Sequence, residues 1–255
     1  MGFKVPSQAD VQRVLDLAKI ILPFPIVIFI IVCFLRMNEV QKTFTFLIVL
    51  ITIFHGIKIY DTINTSKIVS DPLYKRIWLS FDLHFLIFVF AVNISGLRPI
   101  LFFVDILVIE VLNFIRVIRN QLAPRLGDLH QQVKDACDAC ISNHFIQKCR
   151  ACIEILLIPY FFFASLFTLR SEVFIAFLFY LLGFAAFQLV AEYFHKWSWH
   201  QIREQLIKYV VNYVPENNKI KVLNILDDMK VIPDYVRKVY PVPESLRDSI
   251  KIHFD

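Results

Sequence analysis

The sequence predicts an all-α integral membrane protein. About six membrane segments are arranged as three hairpins, followed by a C-terminal amphipathic helical tail. Three observations carry this. The 255 residues are 57% hydrophobic and only 19% charged, with a mean hydropathy of +0.60, whereas soluble domains run near 45–50% apolar and about a quarter charged. The apolar runs are long and do not alternate, which points to helices rather than to a barrel. With 26 Phe and only 5 Gly, the composition suits neither a disordered chain nor a glycine-rich nucleotide-binding design.

Against a span of about 20 residues, six apolar runs stand out: residues 17–35, 43–59, 77–92, 100–118, 152–169 and 172–194. Pro23 and Pro25 lie near the start of the first, His55 and Gly56 within the second, and Pro159 within the fifth. The connections 36–42, 93–99 and 170–171 are short, while 60–76 and 119–151 are long, which groups the runs into hairpins. Positive charge follows the same alternation. With both termini cytosolic, 23 of the 27 Lys and Arg fall on the cytosolic side, leaving Arg36, Lys42, Arg98 and Arg170 opposite, as the positive-inside rule requires. The second and third runs are short. Each is read as an ordinary crossing with local bilayer thinning; the alternative is a shallow hairpin wedged into one leaflet. No cleavable secretory signal or myristoylation pattern is read at the start, where charged residues and Pro6 stand in the way.

Residues 1–194 therefore form a helical membrane domain and residues 195–255 a cytosolic tail. Between Trp197 and Val214 the spacing is helical. Ile202, Leu206, Tyr209, Val210 and Tyr213 fall on one face, and Arg203, Glu204, Lys208 and Asn212 on the other. Val222, Leu223, Leu226 and Met229 form the stripe of a second short helix. Trp197 and Trp199 stand where the last span leaves the bilayer, as in an aromatic belt. The candidate membrane-interface residues are thus Trp197, Trp199, Ile202, Leu206, Val210 and Tyr213. Such helices either lie in the interface or pack on a partner or on residues 119–151.

Ionisable residues inside membrane spans are costly and mark functional positions by default. Asp82, His84, Asp105, Glu110 and Glu154 are the candidates for polar contacts within the membrane or with partners. Asp82 and His84 are two apart and do not share a helix face, and Asp105 and Glu110 point differently. No Ser/His/Asp, His-x-x-x-Asp or Asp-x-x-Asp arrangement is assembled, so no catalytic residue and no cofactor is assigned. The expectation is that these groups pair with each other or with Arg116, or cap helices. Cys137-Asp-Ala-Cys140 and Cys149-Arg-Ala-Cys152 have the pair spacing of a thiolate zinc site. On a continuous helix, however, Cys137 and Cys149 lie about 18 Å apart. Only a turn at Ser142-Asn143-His144 would unite them, and packed thiols are preferred to a metal. The sequons at Asn64 and Asn93 are cytosolic or hug the membrane. The tail mixes acids with bases, so nucleic acid is not an expected partner.

Two stretches carry a resemblance. Ile77-Trp-Leu-Ser-Phe-Asp-Leu-His84 is followed by Val92-Asn93, a turn ending at Pro99, and a long apolar helix ending at Arg116 and Arg119. Ala151-Cys-Ile-Glu-Ile-Leu-Leu-Ile-Pro159 is followed by an aromatic run, a short turn and a last span leading to a basic amphipathic tail. Over roughly residues 15–215 the chain resembles the transmembrane-protein-33 family, whose fungal members are nuclear pore membrane proteins. Its most specific pieces are Glu154 to Pro159 and the Asp82/His84 pair. The paired C-x-x-C and the tail to Asp255 depart from the family pattern. The resemblance implies a multi-pass protein of the endoplasmic reticulum membrane and nuclear envelope. Its partners would be membrane lipids and other membrane proteins, of reticulon or nuclear pore type, and its role shaping tubules and sheets or supporting pores. The amphipathic membrane contact of the family would fall on Trp197 to Tyr213. The competing expectations are an accessory structural subunit of a larger membrane complex and, behind it, an embedded enzyme or transporter using Asp82, His84, Asp105 and Glu110. No internal repeat supports a transporter.

Overall fold

The computed structural model describes residues 8–35, 40–65, 77–78, 80–97, 99–191 and 193–239. Among these residues all regular structure is helical and there is no strand, so the all-α class is as predicted. The connection beyond residue 65, the turn residue Arg98, Glu192 and the tail beyond residue 239 lie outside the described residues. Among the described residues, four helical stretches are long and apolar enough to cross a membrane: Ala9–Cys33, Thr43–Ile63, Gly127–Thr168 and Ser171–Leu189. They overlap four of the six predicted runs. The other two are shorter or more charged. One is the 15-residue apolar helix Phe81–Ser95. The other, Ile100–Val117, has 18 residues but carries Asp105, Glu110 and Arg116.

The chain divides into two units. The first holds residues 1–86 and 102–142, the second residues 87–101 and 143–255. In the first unit α1 (Gln8–Ile21) is joined through Leu22 to α2 (Pro23–Leu35). Pro23 opens α2 where its missing N–H costs nothing, and the helical bond from Ile26 N–H to the Leu22 carbonyl (3.3 Å) carries the chain across the joint. The 13 residues of α2 hold no charged group. Ile26, Ile30 and Cys33 are buried at helical spacing, while Phe24, Ile28, Ile31 and Leu35 are exposed. Helix α3 (Val40–Thr65) buries Phe44, Leu47, Ile48, Ile51, Phe54 and His55 along one stripe. The first turn of α4 (Phe81–Ser95) and most of α5 (Ile100–Val117) complete this core, with Phe44 edge-on to Phe103 at 5.7 Å and Phe24 to Phe114 at 4.5 Å. After α5 the helix widens into a π turn (Ile118–Leu122) and two short 3₁₀ turns before α6 (His130–Ile141).

In the second unit α7 (His144–Thr168) begins at Asn143, whose side chain accepts hydrogen bonds from the N–H groups of Phe145 (2.9 Å) and Ile146 (3.3 Å). It ends at Leu169, which takes a left-handed conformation with φ 50°. A two-residue turn leads into α8 (Ser171–Leu178), a π-helical stretch (Phe179–Ala185) and α9 (Ala186–Ala191). Phe88, Phe161, Tyr180 and Phe184 form the aromatic centre of this unit, with Phe88 stacked on Phe184 at 4.7 Å. Helix α10 (Tyr193–Tyr213) packs along α7 and against α11 (Glu216–Asp228), and a 3₁₀ turn leads to α12 (Ile232–Val239).

Gly183 sits inside the π-helical stretch where a Cβ would lie 2.6 Å from Ile87 Cγ2. A branched side chain cannot rotate that methyl away freely, so glycine is required by close approach rather than by flexibility. Replacing Gly183 by Val is expected to cost about 1–3 kcal/mol through overpacking. Adding Ile87→Ala should recover part of it. Detergent melting of the three variants checks this; equal melting of parent and Gly183→Val would refute the close approach.

Candidate functional site

The first unit assembles a polar cluster from three helices. His55 of α3 is fully buried. Its Nδ1 lies 2.7 Å from Asp82 Oδ1 on α4 and its Nε2 lies 2.8 Å from Glu110 Oε1 on α5. Lys58, one turn beyond His55, places Nζ 2.6 Å from the same Asp82 oxygen. Asn113 donates to the other Glu110 oxygen at 3.4 Å, and Arg116 donates to the Asn113 side-chain carbonyl at 3.3 Å. Spacing explains the row on α5, because Glu110, Asn113 and Arg116 are three apart and share a face. The rings of Phe54 and Phe85 pack on the imidazole at 5.3 and 4.5 Å and keep it dry.

The second unit has its own cluster. Glu154 of α7 is buried, accepts from Arg150 Nε at 2.7 Å one turn earlier, and is contacted by His195 Nε2 of α10. The Tyr180 hydroxyl donates to the Glu154 backbone carbonyl. A crevice beside this cluster is lined by Glu154, Ile155, Ile158, Ala185, Gln188, Leu189 and His195 and leaves no room for a water molecule. Chemically, the first cluster joins one imidazole to two carboxylates and a lysine, and the second joins one carboxylate to a guanidinium and an imidazole.

Set against the sequence, the structure brings Asp82 and Glu110 together, through His55 rather than directly. Glu110 reaches Arg116 through Asn113. His84 goes elsewhere: its ring nitrogen contacts the Trp78 carbonyl, and its ring meets Trp78 edge-on at 5.4 Å. Asp105 is fully buried, five positions before Glu110 on α5. Glu154 is the centre of the second cluster. His55, Lys58, Arg150 and His195 were missed as site residues. Their signal, a histidine inside an apolar run and a Glu154 one turn after Arg150, was present but local, whereas the partners of the two histidines lie 27 to 55 residues away.

The six interface candidates separate. Val210 is buried. Trp199 donates its indole N–H to the Met229 carbonyl at 2.9 Å, and Trp197 lies under the Lys148 ammonium at 4.5 Å. Ile202 is half-buried. Leu206 and Tyr213 are exposed, at 40% and 71%, with Tyr209 at 60% between them. Arg203, expected on the polar outer face, is instead buried. Its guanidinium donates to the Leu226 carbonyl at 2.6 Å and to Asp227 at 3.0 Å. The inward face of α10 is therefore rotated away from the apolar stripe, because Arg203 satisfies carbonyl and carboxylate acceptors at the end of α11.

No disulfide joins the five cysteines; Cys137 is buried, Cys140 and Cys149 are exposed, and Cys152 donates weakly to the Ser198 hydroxyl at 3.4 Å. Among the described residues, no group of three or more His, Cys, Asp or Glu is arranged to hold a metal ion. The helix breaks at Ser142 and Asn143, where the sequence allowed a turn. The fold fits one class, a helical multi-pass membrane protein. Comparison with known proteins goes no further: no family model, curated protein or solved structure matches the chain.

Replacing His55 by Leu leaves Asp82 and Glu110 buried without their bridge and is expected to cost about 3–5 kcal/mol, as for a buried pair that loses one partner. The triple variant His55→Leu, Asp82→Asn, Glu110→Gln should recover much of that loss. Unfolding of both variants in mixed micelles measures the difference. A single variant as stable as the parent would show that the cluster does not hold the helices.

Proposed function

We propose that this chain is a non-enzymatic, multi-pass protein of the endoplasmic reticulum membrane and nuclear envelope. It shapes or organises membrane and binds other membrane proteins, in the manner of the transmembrane-protein-33 family that its sequence resembles. Six segments in three hairpins, with both termini cytosolic, are the topology that the 23-to-4 division of Lys and Arg supports. The observation that carries the functional reading is the outer flank of α10. Leu206, Tyr209, Val211 and Tyr213 stay exposed while Arg203 of the same helix turns inward. Ile220 and Ile225 of α11 and Tyr235 of α12 are exposed as well. A helix that presents leucine and tyrosine outward directly after the last apolar span is placed to insert shallowly among lipid headgroups. Inserted area on one leaflet alone favours curvature.

Two experiments test this. Full-length protein reconstituted into liposomes is expected to narrow them into tubules seen by cryo-microscopy, and Leu206→Asp with Tyr209→Asp should abolish the effect without altering melting, because both side chains are exposed. Equal tubulation by parent and double variant would remove the interfacial role of α10. Purification from native membranes in mild detergent should retain reticulon-like or nuclear pore membrane proteins. A stoichiometric set of respiratory or translocation subunits would instead make the chain an accessory subunit of that complex.

A further inference from the structure

His55 faces a carboxylate oxygen from each ring nitrogen, and hydrogen counting at those two contacts has a consequence independent of the function proposed above. Each N···O approach, 2.7 Å at Nδ1 and 2.8 Å at Nε2, is a hydrogen-bond distance and needs one hydrogen between the two atoms. A neutral imidazole supplies one N–H and an ionised carboxylate supplies none. Asp82 Oδ1 already accepts from Lys58 at 2.6 Å, so Asp82 is the ionised partner and Nδ1 carries the imidazole hydrogen. The Nε2···Oε1 contact with Glu110 then lacks a hydrogen unless a further proton is bound there. Glu110 cannot escape by turning its other oxygen, because Oε2 accepts from Asn113.

We infer that the Asp82–His55–Glu110 cluster is a proton-binding site. It takes one proton from water onto the bond between His55 Nε2 and Glu110 Oε1, as an imidazolium beside a carboxylate or as an imidazole beside a carboxylic acid. The charged groups joined to His55, directly or through its partners, are Lys58 on α3, Asp82 on α4, and Glu110 and Arg116 on α5, the last through Asn113, while α2 carries no charged side chain. On α1, Lys19 is taken by Asp16 and Asp61. Geometry excludes a metal as the ligand. The two ring nitrogens point to opposite sides, so the two carboxylates do not converge on a common point, and each is already at direct hydrogen-bond distance. Because the proton lies on the bond that joins α3 to α5, occupancy of the site is coupled to how firmly those helices are held.

The test is nitrogen-15 NMR of full-length protein labelled in its histidine rings, reconstituted near neutral pH, with the His55 signals identified by their loss in His55→Asn. Carboxyl carbon-13 labelling of Glu reports Glu110 in the same sample. Two protonated ring nitrogens, or one with a protonated Glu110, is the expected result. A neutral ring with Glu110 ionised would overturn the proposal. In Glu110→Gln the amide N–H₂ supplies the missing hydrogen itself, so His55 should revert to a neutral ring protonated at Nδ1. A ring that stays doubly protonated in that variant would show that Glu110 is not where the proton is held, and would also overturn it. The parent spectrum decides the question even if Glu110→Gln fails to fold.

Discussion

A charge among apolar helices must find its opposite within hydrogen-bond reach, and this requirement governs the structure more than hydropathy does. Apolar side chains bury almost interchangeably, whereas a carboxylate taken out of water costs several kcal/mol unless it is met. In the first unit this obligation falls on Asp82 and Glu110, and His55 discharges both at once. One imidazole thereby ties α3 to the start of α4 and to α5. The apolar packing around it, Phe44 on Phe103 and Phe24 on Phe114, holds the same helices without choosing their register. Sliding α5 by one turn would carry Glu110 away from His55 and leave its carboxylate unmet. Register is set by the polar contacts, and the apolar ones fill the space that remains.

The second unit solves the same problem with different groups. Glu154 is met by Arg150 on its own helix and by His195 on α10, so α7 cannot bury its carboxylate without drawing α10 alongside. Once α10 lies on α7, which of its faces looks inward follows. Arg203 falls over the end of α11, where the Leu226 carbonyl and Asp227 accept its hydrogens, and Val210, two turns later on the same face, is buried as well. Leu206, Tyr209 and Tyr213 are then left outside. Their exposure is the residue of a choice made by Glu154 and Arg203, since hydrophobicity alone would have turned the stripe inward.

This also explains how much the sequence could disclose. Helix content and the long apolar stretches were legible because hydropathy is a property of contiguous residues. The start of α7 at Asn143 was legible as a turn at Ser142–Asn143–His144, and the short turn at Leu169 and Arg170 as the break between two runs. Glu110, Asn113 and Arg116 lie at helical spacing and could be read as one face. What joins Asp82 to Glu110 could not be read, because it is a histidine 27 residues before one and 55 before the other. The sequence offered His55 as a polar interruption in an apolar run, with nothing local to name its partners. The rotation of α10 was hidden for a related reason. A helical wheel assigns Arg203 to water by its charge, and only the carbonyl of Leu226 and the carboxylate of Asp227, on another helix, reverse that assignment.

The two devices differ in what they leave available. In the second unit Arg150 is permanently charged, so Glu154 has a cation of its own one turn earlier on the same helix. The first unit has no arginine on its imidazole. Lys58 serves Asp82, Arg116 is one side chain removed from Glu110, and the hydrogen between His55 and Glu110 has to come from water. A structure that needed only rigidity would be served equally well by a fixed cation at that position. Placing an exchangeable proton there makes the hold between α3 and α5 answer to its surroundings, whereas the hold between α7 and α10 does not depend on one. The same constraint on buried charge thus yields a fixed clamp in one unit and a conditional one in the other.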